Sequence, residues 1–384
     1  MAHTPVPPSV EGHVNLIRDL TPKYWKMVSD LTVRNYLTYF MMRKHGSLTF
    51  NGSSHTQVWN AKIKKPTVSA AVANQNIEFV NSDTDIQFYT GIKGYRGTDM
   101  YPQEEYLMAR NAPEKVNDRY EQKTRDLAQA MVEHLSHAFF KDGNDSANVN
   151  EFVGIRTPLA YDASTCTIAD KVALPNGTYA GQSCALANLG GYWSSDSTVK
   201  PNASLARDWP MGQGSAEYDG TSPLIVNYAS TQWGTGSATW KENAVIATSY
   251  AQAALNHRGG QSMTGAPMNC AMASEMFVDL KDSFRANQRQ IMPFRDGDLG
   301  FIGDTLHIDG MVYSMDYAIP TGNAFMYLPQ YVESFFLHDD IYLADGPNYS
   351  MEKAAFLYST CSFGNNKFQP KYLCRFISDT SAAP

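Results

Sequence analysis

Asn111–Gly143, NAPEKVNDRYEQKTRDLAQAMVEHLSHAFFKDG, is the stretch whose reading decides the fold. Pro113 fits the first position of a helix, where a missing N–H costs nothing, and Glu114 puts negative charge beside the positive end of the peptide dipoles. Lys141 suits the last turn, and Gly143 is expected to take the left-handed conformation that ends a helix. No Gly or Pro interrupts between them. Val116, Tyr120, Leu127, Met131, Leu135 and Phe139 recur at helical spacing and form one apolar stripe, with Asp118, Glu121, Lys123, Arg125 and Glu133 on the other faces. The spacing predicts one helix over 113–142, ~40 Å long at 1.5 Å per residue. That exceeds the length of an ordinary globular helix, so it is expected to span its domain as a strut.

Sustained heptads are absent, which argues against a coiled coil. His134 and His137 are three apart, whereas a zinc-protease helix needs two His four apart with Glu inside the pair. Glu133 precedes both, so the pair is not read as a metal site.

Composition narrows the field further. A chain of 384 residues, 43% hydrophobic and 18% charged, is that of a folded protein able to bury a large core, with two or three domains. Its net charge of −7 and lack of a basic tract do not indicate specific nucleic-acid binding through a charged face. The N-terminal residues lack a secretory pattern, and no apolar run approaches the ~18 residues a membrane helix needs, so a soluble chain made in the cytosol is expected. Cys166, Cys184, Cys270, Cys361 and Cys374 are an odd, scattered set without C-x-x-C spacing, which predicts reduced thiols rather than disulfides or zinc.

N-terminal to the strut, residues 1–20 read as a Pro-rich extended arm and Thr21–Lys44 as one helix or two short ones, with Tyr24, Val28, Leu31, Asn35, Tyr39 and Met42 along one side. From Ser47 to Thr90 the period changes to two. Leu48 and Phe50, then Trp59, Ala61 and Ile63, then Ile77 and Phe79, then Ile86 and Phe88 alternate with polar residues. This predicts a long β-hairpin whose tip, between Lys62 and Asn76, is rich in Lys and small residues. Two strands alone are marginal in water, so the hairpin needs something to lie on. Gly91, Gly94 and Gly97 match neither a P-loop nor a dinucleotide fingerprint and are read as turn glycines.

On the other side, Phe152–Pro158 reads as a strand. Residues 160–238 are dominated by Ala, Ser, Thr, Gly and Asn and read as short strands and long loops, anchored by Trp193, Trp209 and Trp233. Helices are expected from Trp240 to about His257 and from Ser274 to about Arg289. Asp309-Gly310 between Leu306, Ile308, Met311 and Tyr313 is a favoured two-residue hairpin turn. A second hairpin is expected around Gly364-Asn365-Asn366. Asp296-Gly297-Asp298 and His338-Asp339-Asp340 lack the EF-hand pattern and are read as solvated turns. There is no G-x-S-x-G elbow and no Cys in a family signature with a His, so neither an enzyme nor a cofactor is expected.

An arm and helix, a projecting hairpin, a Gly-containing return strand and one long amphipathic helix ending at Asp142-Gly143 together resemble the major capsid proteins of tailed phages, the Hong Kong 97-like capsid fold. Leu299-Gly300-Phe301 followed by Gly310, Val312, Asp316 and Pro320 is similar to the late block of that family. The resemblance implies an α+β fold: an N-terminal arm and helix at 1–46; an extended β-hairpin, the E-loop, at 47–90; a peripheral domain at 91–150 and 330–384 with its spine helix at 113–142; and an axial domain at 151–329 with a possible insertion at 160–238.

The resemblance also implies a function: a shell of pentamers and hexamers enclosing double-stranded DNA, in the virion capsid, assembled in the host cytoplasm. Implied partners are further copies of the chain, a portal, separate scaffolding or decoration proteins, and DNA held non-specifically, with no membrane. Trp59, Lys62, Lys64, Lys65, Pro66 and Arg96 are the implied inter-subunit contacts. Some relatives crosslink an E-loop Lys to an Asn of a neighbour, and no acceptor is identifiable here. The same fold allows an encapsulin-like compartment around an enzyme cargo. A carbohydrate-binding or adhesive protein built on the Trp-rich middle is the alternative from another class. A glycosidase of that kind would need a close carboxylate pair, which nothing in the sequence places.

Overall fold

The computed structural model describes Met42 and residues 48–50, 52, 54–62, 85–104, 113–163, 166, 168, 171–185, 221–259, 267–286, 305–308 and 310–378. The expected arm and helix at 1–46, apart from Met42, lie outside the described residues. So do residues 63–84, with the expected hairpin tip and the expected strand residues Ile63, Ile77 and Phe79, and Trp193, Trp209, Asp296-Gly297-Asp298 and Leu299-Gly300-Phe301.

Strands β1 (Leu48–Thr49), β2 (Thr56–Lys62), β3 (Asp85–Gly91) and β4 (Lys93–Pro102) precede helix α1 (Pro113–Phe139). β5 (Thr178–Tyr179), β6 (Gln182–Ser183) and β7 (Leu224–Asn227) lead to α2 (Trp240–His257), β8 (Met268–Met272) and α3 (Ser274–Ala286). The chain closes with β9 (Thr305–Ile308), β10 (Met311–Met315), β11 (Ala324–Tyr327), β12 (Val332–Phe336), β13 (Leu343–Ser350), β14 (Ala355–Phe368) and β15 (Leu373–Ile377).

Two sheets organise these elements. In the five-stranded sheet β14 is the spine: it pairs with β4 through Ala355–Gly364, with β13 through Ala355–Cys361 and with β12 through Gly364–Phe368, and β1 adds parallel to β12. Helix α1 lies on one face of it. Ala128, Met131, Val132 and Leu135 pack with Phe152, Phe336, Ile341 and Tyr342, so Met131, Leu135 and Phe139 of the stripe read from the sequence are buried and Leu127 is half-buried. Arg125 and Glu133 are exposed as expected. Lys123 departs from expectation: its ammonium reaches back to the sheet, donating to the Met100 carbonyl at 2.7 Å beside Asp99 at 3.5 Å.

The six-stranded sheet runs β7-β15-β11-β8-β10-β9 and is buried on both faces. That explains its near-continuous apolar strands. Alternation still sorts the side chains: Cys270, Met326, Cys374 and Phe376 face α2 and α3, whereas Ala271, Phe325, Tyr327 and Leu373 face Phe139 and Phe140 at the end of α1. Ala244, Ala247, Ala251 and Ala254 keep α2 slim enough to pack closely, and Trp240 Nε1 donates to the Met276 carbonyl at 2.9 Å, tying α2 to α3. β9 and β10 form the predicted two-residue hairpin, Ile308 opposite Met311, with Gly310 at φ 77°. β15 belongs to this sheet although β12, β13 and β14, which come just before it in the chain, belong to the other.

Four sequence expectations are overturned by packing. Helix α1 stops at Phe139, and Gly143 is not left-handed. The chain at 151–157 instead folds back over the helix end: Ile155 N–H donates to the Phe139 carbonyl at 2.7 Å, Gly143 N–H to Thr157 Oγ1 at 2.7 Å, and Lys141 pairs with Glu151 at 2.6 Å. The glycine this closure requires is Gly154, where a Cβ would stand 2.1 Å from the Lys141 carbonyl oxygen. For the same reason Phe152–Pro158 is a return loop rather than a strand.

Gly94 and Gly97 are strand residues of β4, not turn residues. A Cβ on Gly97 would meet Thr360 Oγ1 at 2.9 Å and Leu127 Cδ1 at 3.0 Å, so this glycine sets the approach of α1 to the sheet. Finally, no hairpin forms at Gly364-Asn365-Asn366. β14 runs straight through as a 14-residue strand, because the side chains of both asparagines find buried partners.

All five cysteines are free and four are buried. Burial pushes the Cys184 thiol up to about 12 and raises those of Cys270 and Cys374 well above the ordinary thiol value, so these groups behave as small apolar side chains.

Candidate assembly surface

The β2–β3 hairpin is two-faced, as its period predicts. Trp59 pairs in register with Phe88 and stacks on it at 5.7 Å, and on the same face Trp59 meets Tyr179 at 6.2 Å. The ammonium of Lys367 lies 5.5 Å from the Trp59 ring centroid, within cation–π range. Tyr179 is itself fixed, its hydroxyl accepting from Phe368 N–H at 2.8 Å, and burial raises its pKa well above the ordinary phenol value. The turn between β5 and β6, Ala180-Gly181, supports the rim: Tyr89 N–H donates to the Ala180 carbonyl at 3.3 Å and Gln182 Nε2 to the Gln87 carbonyl at 3.0 Å. A Cβ on Gly181 would fall 2.3 Å from the Tyr89 ring. On the opposite face Val58 and Tyr89, a directly opposed cross-strand pair, are exposed.

The base of the hairpin is pinned by a buried polar node. Asn365 Nδ2 donates to Thr90 Oγ1 at 3.0 Å and to the Gly91 carbonyl at 2.7 Å, while Asn365 Oδ1 accepts from Val153 N–H at 2.8 Å. Asn366 Nδ2 donates to the Val153 carbonyl at 2.9 Å and Ser334 Oγ to Asn366 Oδ1 at 2.5 Å. One residue pair therefore joins β3, the return loop, β12 and β14. Sequence reading missed it by assigning these asparagines to a turn.

A second exposed region is the face of the five-stranded sheet opposite α1. In register, Met100 lies opposite Leu357, Arg96 opposite Cys361, Gly94 opposite Phe363 and Leu343 opposite Cys361. Met100, Leu343 and Phe363 are exposed there around the exposed Arg96. Isolated exposed apolar residues are ordinary; three strands each presenting one on the same face is the kind of patch that marks an interaction surface.

Of the six sequence-based contact residues, Lys62 ends β2 exposed and Arg96 is exposed on the sheet. Trp59 is packed against its own chain, and Lys64, Lys65 and Pro66 lie outside the described residues. The structure does not bring Arg96 together with the hairpin residues on one described patch. His338-Asp339-Asp340 is the turn between β12 and β13: His338 Nε2 accepts from Phe363 N–H at 3.0 Å, its Nδ1 contacts the Asp340 carbonyl, and Asp340 Oδ1 accepts from Ile341 N–H at 2.8 Å. His134 is edge-on to the Tyr95 ring at 4.7 Å. Trp233 is a local anchor, as expected, with Nε1 donating to the Asn227 carbonyl at 2.9 Å. Among the described residues, no three His, Cys, Asp or Glu side chains are grouped to hold a metal ion.

Among solved structures the chain is similar to the cyanophage A-1(L) capsid asymmetric unit, at 12% identity and a TM-score of 0.52, covering 88% of this chain and 92% of that one. The chain has the fold of a phage capsid protein. Similarity extends to Gordonia phage Cozz, at 11% identity and a TM-score of 0.45 over 90% of this chain and 87% of that one. It extends also to the bacteriophage PhiM1 mature capsid, at 8% identity and a TM-score of 0.45 over 88% and 87%. No protein-family model matches the sequence, and no curated protein matches it. The capsid fold is therefore carried here by geometry rather than by sequence.

Proposed function

We propose that this chain is the major capsid protein of a tailed phage, copies of which assemble as pentamers and hexamers into an icosahedral shell around double-stranded DNA. The observation that carries the reading is the capsid fold itself, aligned over 88% of this chain and 92% of the cyanophage capsid chain. In this reading β2 and β3 begin the E-loop, α1 is the spine of the peripheral domain with the five-stranded sheet, and the six-stranded sheet with α2 and α3 is the axial domain, to which β15 returns.

Two features suit that task. The hairpin has one face supported by its own chain and one left open, as an element that lies on a neighbour requires. The net charge of −7 leaves packaged DNA loosely held, with no many-lysine wall to bind it tightly. A portal and separate scaffolding or decoration proteins are the further partners, and the virion capsid, assembled in the host cytoplasm, is the location.

Electron microscopy and sedimentation of the purified protein across a range of salt and crowding conditions test the proposal. Closed particles or capsomers are expected, and a monodisperse monomer or small dimer under every condition would overturn it. The contents of the particles separate a genome shell from an enzyme compartment. Replacing Lys62, Lys64 and Lys65 together by Glu should leave a folded chain that fails to close shells. Charge reversal at a contact costs several kcal/mol, and ~1.4 kcal/mol is already tenfold in one association constant.

A further inference from the structure

Arg375, on the face of β15 turned away from α2 and α3, is 5% exposed and has only neutral hydrogen-bond partners. Its Nε and Nη2 donate to Asn323 Oδ1 at 3.1 and 2.8 Å, and Nη1 donates to the Leu159 carbonyl at 3.3 Å. The Tyr161 ring covers the guanidinium at 5.3 Å. A guanidinium carries five N–H donors, and three are used. Arg156 belongs to the same turn that supplies Leu159, and its Nε is buried without a hydrogen-bond partner. Burial first, and the positive charge of Arg156 next, lower the Arg375 pKa to about 10. Tyr161, then Asp142 and Cys166, act in the opposite direction, and the Asp142 Oδ1 accepts from Asn144 N–H at 3.0 Å. Neither arginine has a carboxylate partner among the described residues.

Arg375 is thus a buried guanidinium with no carboxylate in contact and a second, half-buried guanidinium beside it, an arrangement that desolvation and like-charge repulsion both oppose at Arg375. A group with two or more acceptor oxygens would reverse both effects, and the planar fork of Arg is the side chain best matched to it. We propose that Arg156 and Arg375, beside Tyr161 and Asn323, form a binding site for a small oxyanion bearing phosphate or carboxylate oxygens. The oxyanion comes either free from solution or from a carboxylate side chain of a neighbouring copy. The two sources share their chemistry and differ in whether assembly is needed.

The test is thermal melting of the full, unassembled chain in inorganic phosphate against chloride at matched ionic strength and pH 7.5. Phosphate is expected to raise the melting temperature saturably by about 2–4 °C. Arg156→Gln should abolish the rise, and Arg156→Lys should keep only part of it, retaining charge without the fork. Arg156 is only partly buried, so both variants are expected to fold, and circular dichroism checks each. Absence of a saturable phosphate effect in the parent, or an undiminished effect in Arg156→Gln or in Arg156→Lys, would overturn the site. In assembled particles a free ion predicts that the phosphate effect persists. A neighbour's carboxylate predicts that it vanishes while Arg156→Gln lowers the particle's melting temperature.

Discussion

Asn365→Ala removes the centre of the polar node and is the sharpest test of how the hairpin is held. The side chain belongs to a residue with no exposed surface and makes four hydrogen bonds, two from Nδ2 to Thr90 and Gly91 and two to Oδ1 from the Val153 and Asn366 N–H groups. Losing them takes this partner from the buried Thr90 hydroxyl, the half-buried Val153 N–H and the carbonyl of exposed Gly91, and a group left buried and unpaired costs about 1–3 kcal/mol. These groups share one network and do not add independently, so a loss of about 3–5 kcal/mol is expected. Urea denaturation of the parent and variant measures it. Hydrogen exchange locates it: the Ile92 N–H, bonded to the His55 carbonyl at 3.0 Å, and the Val153 N–H should exchange faster, with the interior of α2 least affected. A loss below about 1 kcal/mol would refute the reasoning, as would faster exchange that spares Ile92 and Val153.

Three further outcomes follow from packing and charge. Met131→Asp forces an unpaired carboxylate beneath α1 and should abolish soluble expression at a cost of several kcal/mol, whereas exposed Glu133→Ala should change the melt by no more than about 0.5 kcal/mol; equal effects would mean that the buried face is misassigned. Gly97→Val should lift α1 from the sheet and lower the melting temperature by several degrees, while Gly94→Ala should be mild, because the Phe363 ring 2.5 Å from its would-be Cβ is partly exposed and can swing aside; the reverse order would refute the account of the helix approach. His338 has its pKa lowered by burial, with the Asp340 carbonyl and the charges of Asp340 and Asp339 opposing the shift. Below its ordinary value of about 6.5 the unfolded chain therefore takes up the proton first, and this part of the stability, full above that pH, is lost as the pH falls through the folded value. The pH dependence of melting between about pH 7.5 and 5 should be shallower in His338→Ala than in the parent.

The parts legible in the sequence were those written in a local period. The stripe from Leu127 to Phe139, the alternation of Trp59, Ala61, Ile86 and Phe88, the Asp309-Gly310 turn and the helix starting at Trp240 all express one covered face, and each pairs a local pattern with a local structure. Misreadings occurred where a distant partner decided the matter. Gly154 and Thr157 end α1 from outside it. Gly97 reads as a turn residue until Leu127 is known to lie above it. Asn365 and Asn366 look like turn chemistry because the groups that satisfy them are more than two hundred residues away in sequence, at Val153 and Thr90. The Arg156 and Arg375 pair carried no spacing signal at all, since its proximity is created by the return loop meeting β15.

An apolar centre could fill the space of the node, but it could not fix the same angles. Apolar burial is non-directional, whereas the bonds from Asn365 to Gly91 and from Val153 to Asn365 hold only over a narrow range of orientation. This matters most for a hairpin that extends away from its support. A seven-residue strand such as β2 spans ~23 Å at ~3.3 Å per residue, so a tilt of about 10° at the base moves its far end by ~4 Å. In the shell reading that displacement exceeds what a specific contact tolerates, and closure multiplies the error over every copy. Thr90→Val keeps the shape of a residue only 6% exposed and removes one acceptor of the Asn365 amide. It should cost the isolated chain about 1–2 kcal/mol. The yield of closed particles should fall much further than that loss accounts for. If particles of Thr90→Val form as readily as those of the parent, the node contributes to stability alone and the hairpin's aim is set by its contacts with Tyr179 and Lys367.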